Sequence, residues 1–182
     1  EVGGDFYDAI IPVGKDKIGL LIADVSGKGV PAALFMALSR TVTRANATWH
    51  SRATDAIRDA NEMITQDAKY GMFVTLFFGV VSPNNREFTY VNAGHNPPLL
   101  FHADKTFEEL FLTGPALGVI PGAGYEEGVR QLLPGDTLVF YTDGVTEAIN
   151  TKSEEFGKER LRHILAARSE ENAGAILASV LK

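Results

Sequence analysis

Three aspartates in this chain each stand at one end of an apolar, strand-like run and close to glycine. Asp5 follows Gly3 and Gly4, Asp24 precedes Gly27 and Gly29, and Asp143 precedes Gly144. Carboxylates at strand ends, in a chain without cysteine, suit hard divalent cations such as Mg²⁺ or Mn²⁺, which take oxygen ligands. Two such ions about 3.5–4 Å apart can share a hydroxide and clamp both the attacking and the leaving oxygen of a phosphoryl group. The stretch around Asp24 leaves a second use open, because a glycine-rich loop ahead of a helix also cradles phosphate. A plainer use is equally open: a tight strand-to-helix turn in which Asp24 or Ser26 caps the helix. Asp143-Gly144 is also a common turn pair, but the strand–acid–glycine pattern occurs twice, which weakens that account.

The elements that would position these acids follow from periodicity. Residues 5–12 and 18–24 read as two strands joined by a tight turn at Gly14-Lys15-Asp16-Lys17. Antiparallel pairing across that turn brings Asp5 near Asp24. Two anions so placed repel, and a cation between them explains the arrangement. A helix begins near Pro31, with Val30, Ala33, Leu34, Ala37, Leu38, Val42 and Ala45 as its apolar stripe. Arg40 and Arg44 then fall on the other side, late enough to complement the helix dipole. A second helix covers residues 54–66, with Ala56, Ile57, Ala60, Met63 and Ile64 facing inward.

Residues 72–81 are almost wholly apolar and rich in β-formers, which predicts a central strand covered on both faces. Residues 87–93 alternate like its partner, across a turn at 82–85. His95 lies in the rigid loop 94–98. It is either a ligand or general acid, or a residue that bonds nearby atoms to fix the loop, its commoner use. Short strands follow at 99–102, 107–112, 125–133 and 137–141, the last a buried strand carrying Asp143 just beyond its end. Helices over 158–167 and 170–181 close the chain, with Ser169 and Asn172 as weak caps. Strands grouped in hairpins, with helices before and after, favour antiparallel sheets with helices packed outside them.

Composition narrows the classes. The 182 residues are 45% hydrophobic and 22% charged, which fits one globular domain with a substantial core. A net charge of −6 argues against a general nucleic-acid binder. No apolar run approaches the roughly 18–20 residues of a membrane span, so no membrane contact is expected of this domain. The opening Glu1 suggests a start inside a longer protein.

Four motifs in order make a resemblance specific. They are Gly3-Gly4-Asp5-Phe6-Tyr7-Asp8, Asp24-Val25-Ser26-Gly27-Lys28-Gly29, Asn92-Ala93-Gly94-His95-Asn96-Pro97-Pro98 and Tyr141-Thr142-Asp143-Gly144-Val145-Thr146-Glu147-Ala148. Together with Phe156-Gly157 and Arg160-Leu161, this pattern resembles the bacterial SpoIIE/RsbU-type phosphatases of the metal-dependent 2C-type serine/threonine phosphatase family, over nearly the whole chain. The resemblance implies an α+β fold, a four-layer α-β-β-α sandwich of two mainly antiparallel sheets flanked by helices, trimmed at both ends. It implies a single phosphatase domain over residues 1–182, the C-terminal catalytic part of a longer cytoplasmic signalling protein with an upstream sensory or receiver domain.

By the same resemblance, Asp5, Asp24 and Asp143 match metal-binding carboxylates, and the backbone carbonyl of Val25 adds a ligand. The implied reaction is hydrolysis of phosphoserine or phosphothreonine by a metal-bridging hydroxide, on a phosphorylated protein such as an anti-sigma-factor antagonist. Mn²⁺ or Mg²⁺ is the expected cofactor, as two ions. Ser26 stands where eukaryotic relatives carry a histidine proposed as general acid. The family's terminal Asp-Asp-x-Thr-like strand has no counterpart before Lys182, so one of the two ions is expected to be weak or absent. The alternative is a metal-poor, catalytically weak phosphoprotein-binding domain of the same fold. A P-loop nucleotidase is set aside, because in Gly27-Lys28-Gly29 the lysine precedes the glycine and no Ser or Thr follows it.

Overall fold

A tight turn at residues 14–16 folds the first strand back on the second, and the rest of the larger sheet grows from that hairpin. The computed structural model describes residues 3–68, 71–168 and 170–181. In chain order the elements are β1 (Phe6–Val13), β2 (Lys17–Val25), α1 (Gly29–Trp49), α2 (Ala53–Asp67), β3 (Val74–Ser82), β4 (Glu87–Ala93), β5 (Leu99–Phe101), β6 (Phe107–Glu109), β7 (Gly128–Gln131), β8 (Thr137–Val139), α3 (Asp143–Thr146), α4 (Lys158–Ala167) and α5 (Ala173–Val180). They divide into two units, Glu1–Pro97 with Phe111–Leu132, and Pro98–Leu110 with Leu133–Lys182. The class is α+β, with every strand pair in both sheets antiparallel. Among the described residues no helix is long and apolar enough to cross a membrane.

The first unit holds a five-stranded sheet in the order β1-β2-β3-β4-β7. Alternation splits its side chains between two faces. Leu21, Ala23 and Val25 of β2 with Val74, Leu76, Phe78 and Val80 of β3 form one core with Ala32, Phe35 and Val42 of α1 and Ile57 and Ile64 of α2. Asp24 and Thr75, paired across β2 and β3, therefore share the face turned away from those helices.

Helix α1 corrects the expected stripe. Its buried residues are Ala32, Phe35, Ser39, Val42, Thr43 and Ala47, while Val30 and Leu34 are 69% and 68% exposed. Two apolar stripes compete on this helix, and larger anchors set its phase. Phe35 needs the core, and Arg40 and Arg44 reach Asp8 of β1. Because α1 continues to Trp49, neither arginine lies in its last turn, so they serve as ion-pair partners rather than dipole complements. On α2, Met63 is exposed and Asn61 is buried in its place. Asn61 donates to the Ile120 carbonyl at 2.9 Å and accepts from Gly118 N–H at 3.0 Å, fastening the loop that follows Thr113.

The second unit holds the three-stranded sheet β6-β5-β8 and a small core of Leu99, Phe101, Tyr141, Leu161, Leu165 and Ile176. Arg162 of α4 pairs with Glu109 of β6 and lies 5.1 Å from the Phe107 ring centroid, tying helix to sheet. β8 is shorter than expected and only half-buried. β7, in the first unit, is likewise trimmed, because Glu127 is taken up by Thr54 N–H and Arg52 instead of a ladder. Asn172 is a true cap, accepting from Ala175 N–H at 3.0 Å. Ser169 lies outside the described residues.

Candidate active site

The hairpin register decides which side chains face one another at its open end. Near the turn, Ile11 pairs with Gly19 and Pro12 with Ile18. Continued unchanged, that register would set Asp5 opposite Val25 and on the other face from Asp24. A β-bulge between Ala9 and Ile11 shifts the pairing by one residue, so that Phe6 pairs with Ala23 and Tyr7 with Ile22. Carried one step past Phe6, this register puts Asp5 opposite Asp24. A one-residue slip exchanges the two faces of a strand, and a bulge is the usual device for re-aiming a side chain. Directly opposed residues carry Cβ atoms about 4.5–5.5 Å apart, a spacing that lets two carboxylates share one cation.

Gly4 continues the same register against Val25. A Cβ on residue 4 would lie 2.7 Å from the Val25 carbonyl oxygen and 3.2 Å from its Cβ. Only glycine allows the two backbones this close, so the Val25 carbonyl sits directly beside the approach to Asp5. Beyond Val25 the chain is stapled to β3: Ser26 N–H donates to the Phe73 carbonyl at 3.0 Å, and Phe73 N–H donates to Ser26 Oγ at 2.8 Å. The helix cap is Lys28, with no side-chain cap bond. Ser26 Oγ is thus engaged by Phe73 N–H and not by the start of α1.

The mirror acid on β1 has a different task. Asp8 is only 9% exposed and points toward α1, where Arg44 and Arg40 pair with it, the latter at 3.5 Å. Asp5 is exposed and Asp24 half-buried. His95 is 2% exposed, its ring Nδ1 lying 3.0 Å from Thr75 Oγ1. Thr75 was invisible as a site residue, although a hydroxyl between apolar neighbours, Val74 and Leu76, was the available signal. In the second unit, Asp143 opens the four-residue helix α3 and is exposed. Its backbone carbonyl accepts from Glu147 N–H at 2.7 Å.

Among the described residues no group of three or more His, Asp or Glu is gathered closely enough to hold a metal ion. The donors that the register, extended past Phe6, would bring together, the Asp5 and Asp24 carboxylates and the Val25 carbonyl against Gly4, are all oxygens and fit a hard divalent cation. Water can complete such a shell.

The chain matches the family model described as Stage II sporulation protein E (SpoIIE) over residues 14–182. It is 35% identical to Protein IcfG of Synechocystis sp. over 193 residues, covering 91% of this chain and 30% of that protein. It is 32% identical over 148 residues to phosphoserine phosphatase RsbU of Bacillus subtilis, covering 81% of this chain and 44% of RsbU. The chain thus spans less than half the length of both relatives. Among solved structures, the PP2C phosphatase domain of SpoIIE from Bacillus subtilis superposes with a TM-score of 0.80 at 17% identity, covering 100% of this chain and 54% of that one. The bulged hairpin thus sits on a known scaffold, and the chain belongs to the SpoIIE family, with the fold of the 2C-type serine/threonine protein phosphatases.

Proposed function

We propose that this chain is the catalytic domain of a metal-dependent protein phosphatase that hydrolyses phosphoserine or phosphothreonine, and that it forms the C-terminal part of a longer signalling protein. The observation that supports the reading is the bulged β1–β2 register, which, extended past Phe6, would set Asp5 opposite Asp24 beside the Val25 carbonyl. A fold has no stake in placing two anions opposite each other at the end of an edge hairpin, whereas a cation site does. Asp5, Asp24 and the Val25 carbonyl would hold one Mn²⁺ or Mg²⁺, and Asp143 would serve a second, weaker one. When bound, such cations polarise the phosphoryl group and activate water for in-line attack.

The remaining roles belong to the chain. Asp24 orients the site through a backbone locked on both sides by β1 and β3. As the phosphorus–seryl oxygen bond breaks, the leaving oxygen takes its proton from water, since Ser26 Oγ is held by Phe73 N–H and a hydroxyl is a poor acid. The name of RsbU, phosphoserine phosphatase, supports a phosphoserine substrate, and the family resemblance suggests a small phosphorylated anti-sigma-factor antagonist in a partner-switching pathway. A weakly catalytic phosphoprotein-binding domain is the second reading, favoured by the lack of a three-acid cluster among the described residues. Turnover of p-nitrophenyl phosphate and of a phosphoserine protein, with Mn²⁺ and then with excess chelator, separates the two. Activity should require the ion, and turnover that survives chelation would overturn the metal mechanism.

A further inference from the structure

Strand β3 carries Thr75 near its start, between the fully buried Val74 and Leu76. It pairs with Asp24 across the β2–β3 ladder and shares its face. Thr75 Oγ1 lies 3.4 Å from the Asp24 carbonyl oxygen and 3.0 Å from His95 Nδ1. A buried imidazole costs stability unless it is bonded, and the chain goes to some length to set it beside the half-buried Thr75 hydroxyl. His95 N–H donates to Asn92 Oδ1 at 2.9 Å, closing the turn that ends β4. Asn92 is itself fixed by Thr113, whose Oγ1 accepts from Asn92 N–H at 3.0 Å and whose N–H donates to the Asn92 carbonyl at 2.9 Å. Between them Gly94 has φ +77, and a Cβ there would lie 3.0 Å from the Ala116 Cβ. The Asn92–His95 turn is therefore a mount for one ring.

We propose that Thr75 and His95 are positioning residues for the cation site, acting through the main chain of Asp24. This rests on the reading of Asp5, Asp24 and Val25 given above. The Thr75 hydroxyl has one proton. Donated to the Asp24 carbonyl, it leaves the hydroxyl oxygen to accept from the ring, so His95 carries its hydrogen on Nδ1. The relay runs from ring to hydroxyl to carbonyl, and it fixes the peptide plane joining Asp24 to Val25. Rotation of that plane would swing the Asp24 carboxylate and displace the Val25 carbonyl together. Groups of this kind, one step removed from the ligands, typically change metal affinity about 10–100-fold when lost. His95 is thus neither a ligand nor a proton donor to the substrate.

The test is Mn²⁺ titration of the chain by calorimetry, beside metal-free melting temperature and p-nitrophenyl phosphate kinetics. Thr75→Val keeps the shape and removes the hydroxyl. It should weaken Mn²⁺ about tenfold, leave the metal-free melting temperature within a few degrees, and leave KM for the aryl phosphate unchanged at saturating Mn²⁺. Thr75→Ser should restore binding, and His95→Asn, which keeps a donor at the Nδ1 position, should retain most of it. His95→Leu should match Thr75→Val, and the double variant should be no worse than either alone, as expected for one relay. Asp24→Asn is the control. Lost binding in Asp24→Asn with normal binding in Thr75→Val and His95→Leu overturns the relay alone; normal binding in Asp24→Asn overturns the cation site itself. Should Thr75→Val fail to fold, nitrogen–proton correlation spectra of the unaltered chain decide. The Nδ1–H tautomer of His95 is expected, and the Nε2–H tautomer would overturn the relay.

Discussion

Asp24 and Asp143 open identical-looking stretches, an apolar run and then an acid followed by glycine, yet the two units build them differently. Asp24 ends a nine-residue strand paired on both sides, with Gly4 pressed against the next residue and Ser26 stapled to Phe73. Asp143 follows a three-residue, half-exposed strand and starts a four-residue helix. The first acid is held by long-range pairing that fixes its direction before any ligand arrives. The second depends on a single short turn, which fixes its backbone but gives its exposed side chain little constraint. Preorganisation lowers the cost of ligation, so like motifs should yield unlike affinities: a tight site at Asp5–Asp24 and a compliant one at Asp143.

The largest effect expected tests that difference directly. Asp24→Asn should remove Mn²⁺ binding and lower turnover by at least about 100-fold, the upper end of what indirect partners cost, with the melting temperature of the metal-free chain unchanged or raised. Asp143→Asn should lower turnover about tenfold at limiting Mn²⁺ and recover in excess metal. Calorimetry and metal-dependent kinetics on both variants check this. Equal losses, or two equally tight sites in the unaltered chain, would break the comparison.

A contrast within the first hairpin sharpens it. Asp8, three residues beyond Asp5, turns by alternation to the other side, where it is ion-paired to α1. Asp8→Asn leaves two arginines facing a neutral amide and should cost about 1–3 kcal/mol in chemical denaturation, with Mn²⁺ affinity within about twofold of the original. Gly4→Ala should do the reverse. Its Cβ would press on the Val25 carbonyl, weakening Mn²⁺ about tenfold for a smaller change in stability. If both variants lowered stability and affinity in parallel, the two faces of β1 would not be independent.

How far the sequence could be read depended on whether the signal was local. The hairpin, the β2 strand and its acid, and helix α4 were legible because turn residues and periodicity fix them over short spans. The register that would bring Asp5 to Asp24 was not legible, since nothing in Phe6-Tyr7-Asp8-Ala9 announces a bulge. The phase of α1 was misread for a physical reason: apolar residues occupy more than one side of it, and a tertiary ion pair to Asp8 chose between them. Thr75, Asn61 and Asn92 were passed over because a polar residue in an apolar run declares its partner only once distant segments meet. The short, half-buried β8 and the four-residue α3 have no local signature that separates them from their Asp24 counterparts.

The smallest effect concerns two buried phenols, one in each unit. Burial pushes the Tyr125 phenol up to about 12, with the nearby negative charge of Glu62 adding to it. Tyr141 is raised by burial and by Glu109, but Arg162 opposes the shift. An unfolded tyrosine ionises near pH 10. Between pH 10 and 12 the unfolded chain therefore releases the Tyr125 proton while the folded chain keeps it. The folded state then binds more protons, and stability falls as pH rises through that window. Below pH 10 both states are protonated and the group has no influence. Tyr125→Phe should flatten the alkaline limb of a stability–pH curve, and Tyr141→Phe should flatten it less. At neutral pH Tyr125→Phe should be neutral or stabilising by up to about 1 kcal/mol, because its buried hydroxyl has no hydrogen-bond partner among the described residues. Mn²⁺ affinity should be untouched, since the ring rather than the hydroxyl packs against the core behind β2 and β3. Denaturant midpoints at pH 7, 10 and 11 measure all of this. An equal response from the two phenols would show that Arg162 does not offset the burial of Tyr141.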